Sequence, residues 1–106
     1  MRRPPRPLTN QQSRLLVLLL DREQAGDDLS SGVVSKVFYG ARGDEKSNRA
    51  NVLNAYKRFE DLGLLIRGPN GQWEKGELSP EARAQAKVIK GLLSYPAYPY
   101  IPPEKS

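Results

Sequence analysis

SNRANVLNAYKRFEDLGLLIRGPNGQWEKGELSPEAR, residues 47–83, decides the fold of this chain. Val52, Ala55, Tyr56, Phe59 and Leu62 recur at intervals of three and four, the stripe of a helix buried on one side. Asp44 or Ser47 can cap it, and Gly63 supplies its stop, so the spacing predicts a helix over about 47–62. Leu64 to Arg67 then reads as a short strand. Pro69-Asn70-Gly71 is a turn, with φ fixed at Pro69 and positive φ tolerated at Asn70 or Gly71. A return strand over 73–78 follows, Leu78 turned inward and Trp73 closing the hairpin against the helix. Ser79-Pro80-Glu81 opens another helix: a capping hydroxyl, proline at the first helical position, then an acid near the positive end of the dipole.

Towards the N-terminus, Thr9 and Gln12 have the spacing of a capping box, and the run LLVLLL at 15–20 makes the first helix apolar all round. That helix is predicted to end at Gly26 and to form the centre of the core. Ser30 or Ser31 caps a second helix to about Tyr39, with Leu29, Val33, Val37 and Phe38 on its inner side. It is stopped by Gly40 and Gly43, both able to take positive φ. Two helices joined by a glycine turn have helix-turn-helix form. Beyond Pro80, Ala82, Ala86, Ile89 and Leu93 form a stripe that packs either on the first helix or on the same helix of a second subunit. The chain divides into a basic arm (1–8), a domain (9–93) and a proline- and tyrosine-rich tail (94–106). The tail either extends into solvent or docks through Tyr95, Tyr98 and Tyr100.

The 106 residues allow one domain, and the hydrophobic fraction of 38% allows a thin core. Net charge is +5, and Arg2, Arg3 and Arg6 carry three of those charges; without them the balance falls to +2. A mildly basic domain with a basic arm favours an anionic partner. Cysteine and histidine are both absent. Disulfides, thiolate and imidazole metal sites, Cys/His dyads and Ser-His triads are thereby excluded. Carboxylates are scattered, and Gly40 and Gly43 lack the context of a phosphate loop. The expectation is a protein that is not an enzyme and uses no cofactor or metal. The apolar run at 15–20 is too short for a membrane span, so a cytoplasmic protein without membrane partners is expected.

The informative surface is the far side of the third helix, which carries Asn48, Arg49, Asn51, Asn54 and Arg58, with Leu53 and Lys57 on its flank. Arginine can bridge guanine O6 and N7, and asparagine can bridge adenine N6 and N7. A helix that only meets solvent is better served by Glu and Lys than by Asn. The plainer alternative makes Asn48 part of the cap and the others ordinary surface. Arg67, Asn70 and Lys75 fall near the hairpin, where they would meet phosphate rather than bases. Arg2, Arg3 and Arg6 form an arm suited to phosphates or a minor groove.

The order of elements resembles the winged helix-turn-helix superfamily: mainly α with a small β-hairpin, three helices, a two-stranded wing and a C-terminal helix. Leu62-Gly63-Leu64, Arg67 and Leu78 to Glu81 are similar to the MarR- and PadR-type transcriptional regulators. The resemblance implies a recognition helix at about 47–62 in the major groove of double-stranded DNA, with a wing at 64–78 on the backbone. It places Asn48, Arg49, Asn51 and Asn54 towards the bases and Arg67 at the wing base. The long dimerisation helices and effector pocket of those regulators have no counterpart here. A homodimer through 80–93 and the tail is one expectation. The rival functional expectation is a winged-helix protein-interaction module, prompted by Asp44, Glu45, Glu60 and Asp61 beside the basic residues.

Overall fold

The computed structural model describes residues 7–93 and 96–100. Among them are four helices, α1 (Asn10–Gln24), α2 (Ser31–Tyr39), α3 (Lys46–Asp61) and α4 (Pro80–Leu92), and an antiparallel pair of short strands, β1 (Leu65–Ile66) and β2 (Glu77–Leu78).

The expected capping box starts α1: Thr9 Oγ1 accepts from the Gln12 N–H, and Gln12 Oε1 accepts from the Thr9 N–H, both at 3.1 Å. All six apolar side chains at 15–20 are buried, none more than 2% exposed. A helix apolar on every side needs several walls, and α2, α4 and β2 all pack against it. Ala82 and Ala86 of α4 are fully buried, so the inner stripe of α4 lies on α1 of its own chain rather than on a second subunit.

The α2 helix turns differently from the expected register. Val34 is fully buried beside Phe38, whereas Val33 is 43% exposed. The spacing of four between Leu29 and Val33 misleads because Leu29 precedes the helix and reaches the core from the loop. Its neighbour Asp28 accepts from both the N–H and the hydroxyl of Ser30, and those two bonds hold the Asp28 carboxyl below its usual pKa.

Between α2 and α3 the two glycines do separate jobs. Gly40 has φ of 65° and opens a 3₁₀ turn (Gly40–Arg42). Gly43 has φ of −64°, so the expected positive φ is absent there. Instead, a Cβ at Gly43 would lie 2.4 Å from Lys36 Cα and 2.6 Å from the Ser35 carbonyl oxygen, so only glycine lets the chain pass. The fully buried Ser35 hydroxyl donates to the Gly43 carbonyl at 2.7 Å, fixing the crossing.

Neither Asp44 nor Ser47 is the first cap of α3; Glu45 occupies that position, without a side-chain capping bond. At the other end Gly63 has φ of 73°. The Leu64 N–H bonds the Phe59 carbonyl at 2.8 Å, and the Gly63 N–H bonds Glu60 at 3.0 Å, a Schellman ending that turns the chain into β1. Leu65 pairs with Leu78 and Ile66 with Glu77. The return strand is shorter than expected, because Trp73–Lys75 forms a 3₁₀ turn in place of extended chain. Gly71 takes the positive φ of the hairpin tip; Asn70 does not.

One ion pair ties α1, β2 and α4 together. Glu23 accepts from Arg83 Nε at 2.6 Å and from the Leu78 N–H at 2.7 Å. Burial works to raise the Glu23 pKa; the Arg83 bond, the Leu78 bond and the Arg83 charge outweigh it and hold the carboxyl below 4.5. Glu23→Gln is expected to lower stability by about 1 kcal/mol at neutral pH, since one charge-assisted bond becomes neutral. A depressed carboxylate stabilises above its unfolded pKa and ceases to do so as pH falls through its folded pKa. Urea denaturation should therefore show a gap between wild type and variant that is full at pH 7 and closes as pH falls below 4.5.

Candidate nucleic-acid interface

The inner stripe of α3 fixes which way its polar side faces. Val52, Ala55, Tyr56 and Phe59 are buried, and the Tyr56 hydroxyl donates to the Leu29 carbonyl at 2.9 Å. The Tyr56 ring meets Trp73 edge to face at 5.3 Å, so the hairpin is closed against the helix by the indole, as expected. Burial pushes the Tyr56 hydroxyl far above its ordinary range. With its back fixed in this way, α3 cannot roll without breaking buried contacts.

Arg49, Asn51, Leu53, Asn54 and Lys57 are all exposed, but they do not share one face as expected. At about 100° per residue Arg49 lies on the edge of α3 beside the start of α2, Asn51 on the other edge beside Gln11 and Tyr39, and Leu53, Lys57 and Asn54 between them. The other two expected residues differ. Asn48 is half-buried and its amide donates to the Arg42 carbonyl at 2.8 Å, so it closes the turn before α3 rather than capping the helix. Arg58 is half-buried and makes interactions within the protein.

At the hairpin, Arg67 is held rather than displayed. Its Nε and Nη2 donate to the two Glu60 carboxylate oxygens at 2.8 and 3.3 Å, and its guanidinium lies 4.3 Å from the centre of the Trp73 ring. This fork-to-carboxylate contact fastens the hairpin to the end of α3. Asn70 and Lys75 are exposed. Arg2, Arg3 and Arg6 lie outside the described residues, as does Tyr95.

Acids interleave with the bases around the start of α3: Lys36 pairs with Asp44 at 3.6 Å, and Arg42 with Glu45 at 3.2 Å. Such exposed pairs contribute little stability, but they reduce the local positive field.

A feature missed in the sequence borders this surface. Tyr39, at the end of α2, accepts a hydrogen bond from the side-chain amide of Gln11. Burial raises its pKa, and the nearby side-chain amides of Asn51 and Gln11 oppose that rise. Tyr100 of the tail stacks on Phe38 at 5.5 Å, with 7° between the rings, and meets Tyr39 edge-on at 6.1 Å. An open cleft of about 290 Å³ runs between Tyr39, Tyr100 and the Asn48 and Asn51 side of α3. No periodicity could have shown this, because the partners come from α1, α2, α3 and the tail.

Among the described residues no group of three or more acids is placed to hold a metal ion, and no helix is long and apolar enough to cross a membrane. Comparison with protein-family models, curated proteins and solved structures finds no match to this chain.

The angle between α2 and α3 sets the display of the polar side, and Gly43 permits that angle. Gly43→Ala is expected to lower stability by about 1–3 kcal/mol, because the obstructing atoms are backbone. Gly32→Ala, where a Cβ meets nothing within 4 Å, should be neutral or slightly stabilising. Thermal unfolding of the two variants should separate them; equal melting temperatures would count against the close crossing.

Proposed function

We propose that this chain is a winged helix-turn-helix protein that binds double-stranded DNA sequence-specifically, as a small cytoplasmic transcriptional regulator. The observation that carries the reading is the exposed half of α3, with Asn54 at its centre and Arg49 and Asn51 at its two edges, held outward by a buried back and followed by a hairpin. These side chains match the donor and acceptor pattern of purine edges in the major groove. On this reading α3 enters the major groove while the hairpin lies along the backbone, and the order helix, glycine turn, helix, hairpin supports it.

The residues then divide by task. Arg49, Asn51 and Asn54 read bases. Asn70 and Lys75 meet phosphate from the hairpin, Arg67 positions that hairpin through Glu60, and Asn48 shapes the approach to α3. Arg2, Arg3 and Arg6 add the phosphate attraction that the interleaved acids take away from the domain.

A second reading, a winged-helix module that binds protein, is favoured by one observation: Val88 and Leu92 on the outer side of α4 are 63% and 80% exposed. These same residues are the surface available on α4 for a homodimer, since its inner stripe is covered.

A gel-shift assay against duplex DNA at two salt concentrations tests the proposal. Retention at low salt, with affinity falling steeply as salt rises, is expected from counterion release. Deleting residues 1–7 should weaken binding to all sequences alike and flatten the salt slope by about one unit for each phosphate that is no longer neutralised. Arg49→Ala should instead relax preference at a single base pair, by about 1–3 kcal/mol. Absence of retention at micromolar protein and low salt would favour the protein-binding module.

A further inference from the structure

The major groove offers hydrogen-bonding groups at every base pair, and an apolar group only where thymine carries its 5-methyl. An apolar side chain on a recognition surface therefore has one favourable base to meet. Set against the cytosine amino group or the guanine oxygen, it would take water from a polar group and return no bond.

The outward side of α3 carries such side chains. Its buried stripe, Val52, Ala55, Tyr56 and Phe59, stands at i, i+3, i+4 and i+7. Ala50, Leu53, Asn54 and Lys57 repeat that spacing two residues earlier. Two residues are about 200° of helix, so this second quartet faces nearly opposite the core. All four residues are exposed, Leu53 at 40%. A lone exposed leucine is ordinary on a protein surface; what sets Leu53 apart is its company. Asn54 and Lys57 make no side-chain hydrogen bond or ion pair among the described residues, whereas Lys36, Arg42 and Arg67 are each answered by a carboxylate.

An apolar pair with an amide beside it and an ammonium one turn on is complementary to an A·T edge: methyl, N6 donor and N7 acceptor, with phosphate beyond. At Ala50 the small side chain lets the helix approach the groove floor closely. Asp61, exposed one turn past Lys57 on the same side, bounds this surface, since phosphate repels a carboxylate there.

We propose that Leu53, with Ala50 beside it, reads the 5-methyl of a thymine in the same base pair as the adenine that Asn54 bonds, or in the adjoining pair. This rests on the DNA-binding reading and deepens it. The target holds an A·T pair at the centre of the contact, and apolar contact distinguishes thymine there from cytosine.

The test uses the full chain and a duplex that the wild-type protein selects from a random pool. Each thymine of that duplex is replaced in turn by deoxyuridine, which removes the methyl and keeps every hydrogen-bonding group. One such replacement should weaken wild-type binding about fourfold, the worth of one buried methyl. The same replacement should leave Leu53→Ala unaffected, while Leu53→Ile, which keeps the apolar bulk, should show most of the wild-type loss. Leu53→Ala should still hold random duplex within about twofold of wild type, because that binding rests on phosphate. It should also unfold at the same temperature, since Leu53 lies outside the core. Asn54→Ala should lose preference for adenine, about tenfold, at the same or the adjoining pair. A selected site without thymine, a wild type indifferent to every deoxyuridine, or a folded Leu53→Ala that keeps the wild-type loss overturns the methyl-reading role and leaves DNA binding intact. Failure of the wild-type protein to retain any duplex at low salt overturns the DNA-binding reading and this role with it.

Discussion

Burial of the six consecutive apolar side chains at 15–20 is the constraint from which the rest of the structure follows. An amphipathic helix can be satisfied by one neighbour; a helix apolar around its whole circumference has to be enclosed. Each such side chain removed from water contributes about 1.5–3 kcal/mol, against a net stability of about 5–15 kcal/mol for a domain. No wall of that enclosure is dispensable on this scale. The inner side of α2, the alanines of α4 and Leu78 of the hairpin are those walls, joined in one cluster with the α3 stripe. The α3 helix packs in turn on α2 and β1, and that packing turns its polar side outward.

The tail closes what the helices leave open. Arg14 is buried at the edge of the apolar run, its Nε bonded to Asn10 Oδ1 and its Nη1 to the Pro96 carbonyl. Ala97 is buried, and Tyr98 is bonded to Asp21, with burial first and that bond second pushing its pKa up to about 12. Residues 96–100 therefore belong to the fold, and they lie on helices of their own chain. This covers part of what the sequence offered as a dimer surface. It also brings Tyr100 to the border of the polar side of α3, which links the end of the chain to the candidate site.

What could be read beforehand depended on whether the cause was local. The capping box at Thr9, the Ser79-Pro80 start, the Gly63 stop and the α3 stripe were legible because each follows from residues within one or two turns of helix. Trp73 against α3 was legible because a hairpin directly after a helix has little else to pack on. The errors arose where a distant partner decides. Gly43 is a glycine because of the Lys36 backbone, not because of its own φ. Val34 replaces Val33 in the core because the loop residue Leu29 does not share the helical register. Within the candidate site, the spacing named Arg49, Asn51 and Asn54, all of them exposed, but it could not reveal that Asn48 serves a turn, that Arg67 is held by Glu60, or that Tyr39 and Asn51 line one cleft.

The distribution of charge bears on how such a surface would work. Lys36, Arg42 and Arg67 all have a carboxylate within 4 Å, so much of the positive charge near α3 is already answered inside the protein. A surface built mainly to attract phosphate would leave those cations without acids beside them. The exposed groups that remain on α3 include two neutral amides, which contribute almost nothing to long-range attraction and a great deal to discrimination at hydrogen-bonding distance. On the DNA-binding reading, attraction and discrimination are therefore carried by different parts of the chain: charge by the arginines of residues 1–6, and base recognition by the exposed amides of α3. That separation explains why a domain whose balance is only +2 without the arm can still be read as a nucleic-acid partner, since its specificity rests on the direction of a few N–H and C=O groups rather than on the sum of its charges.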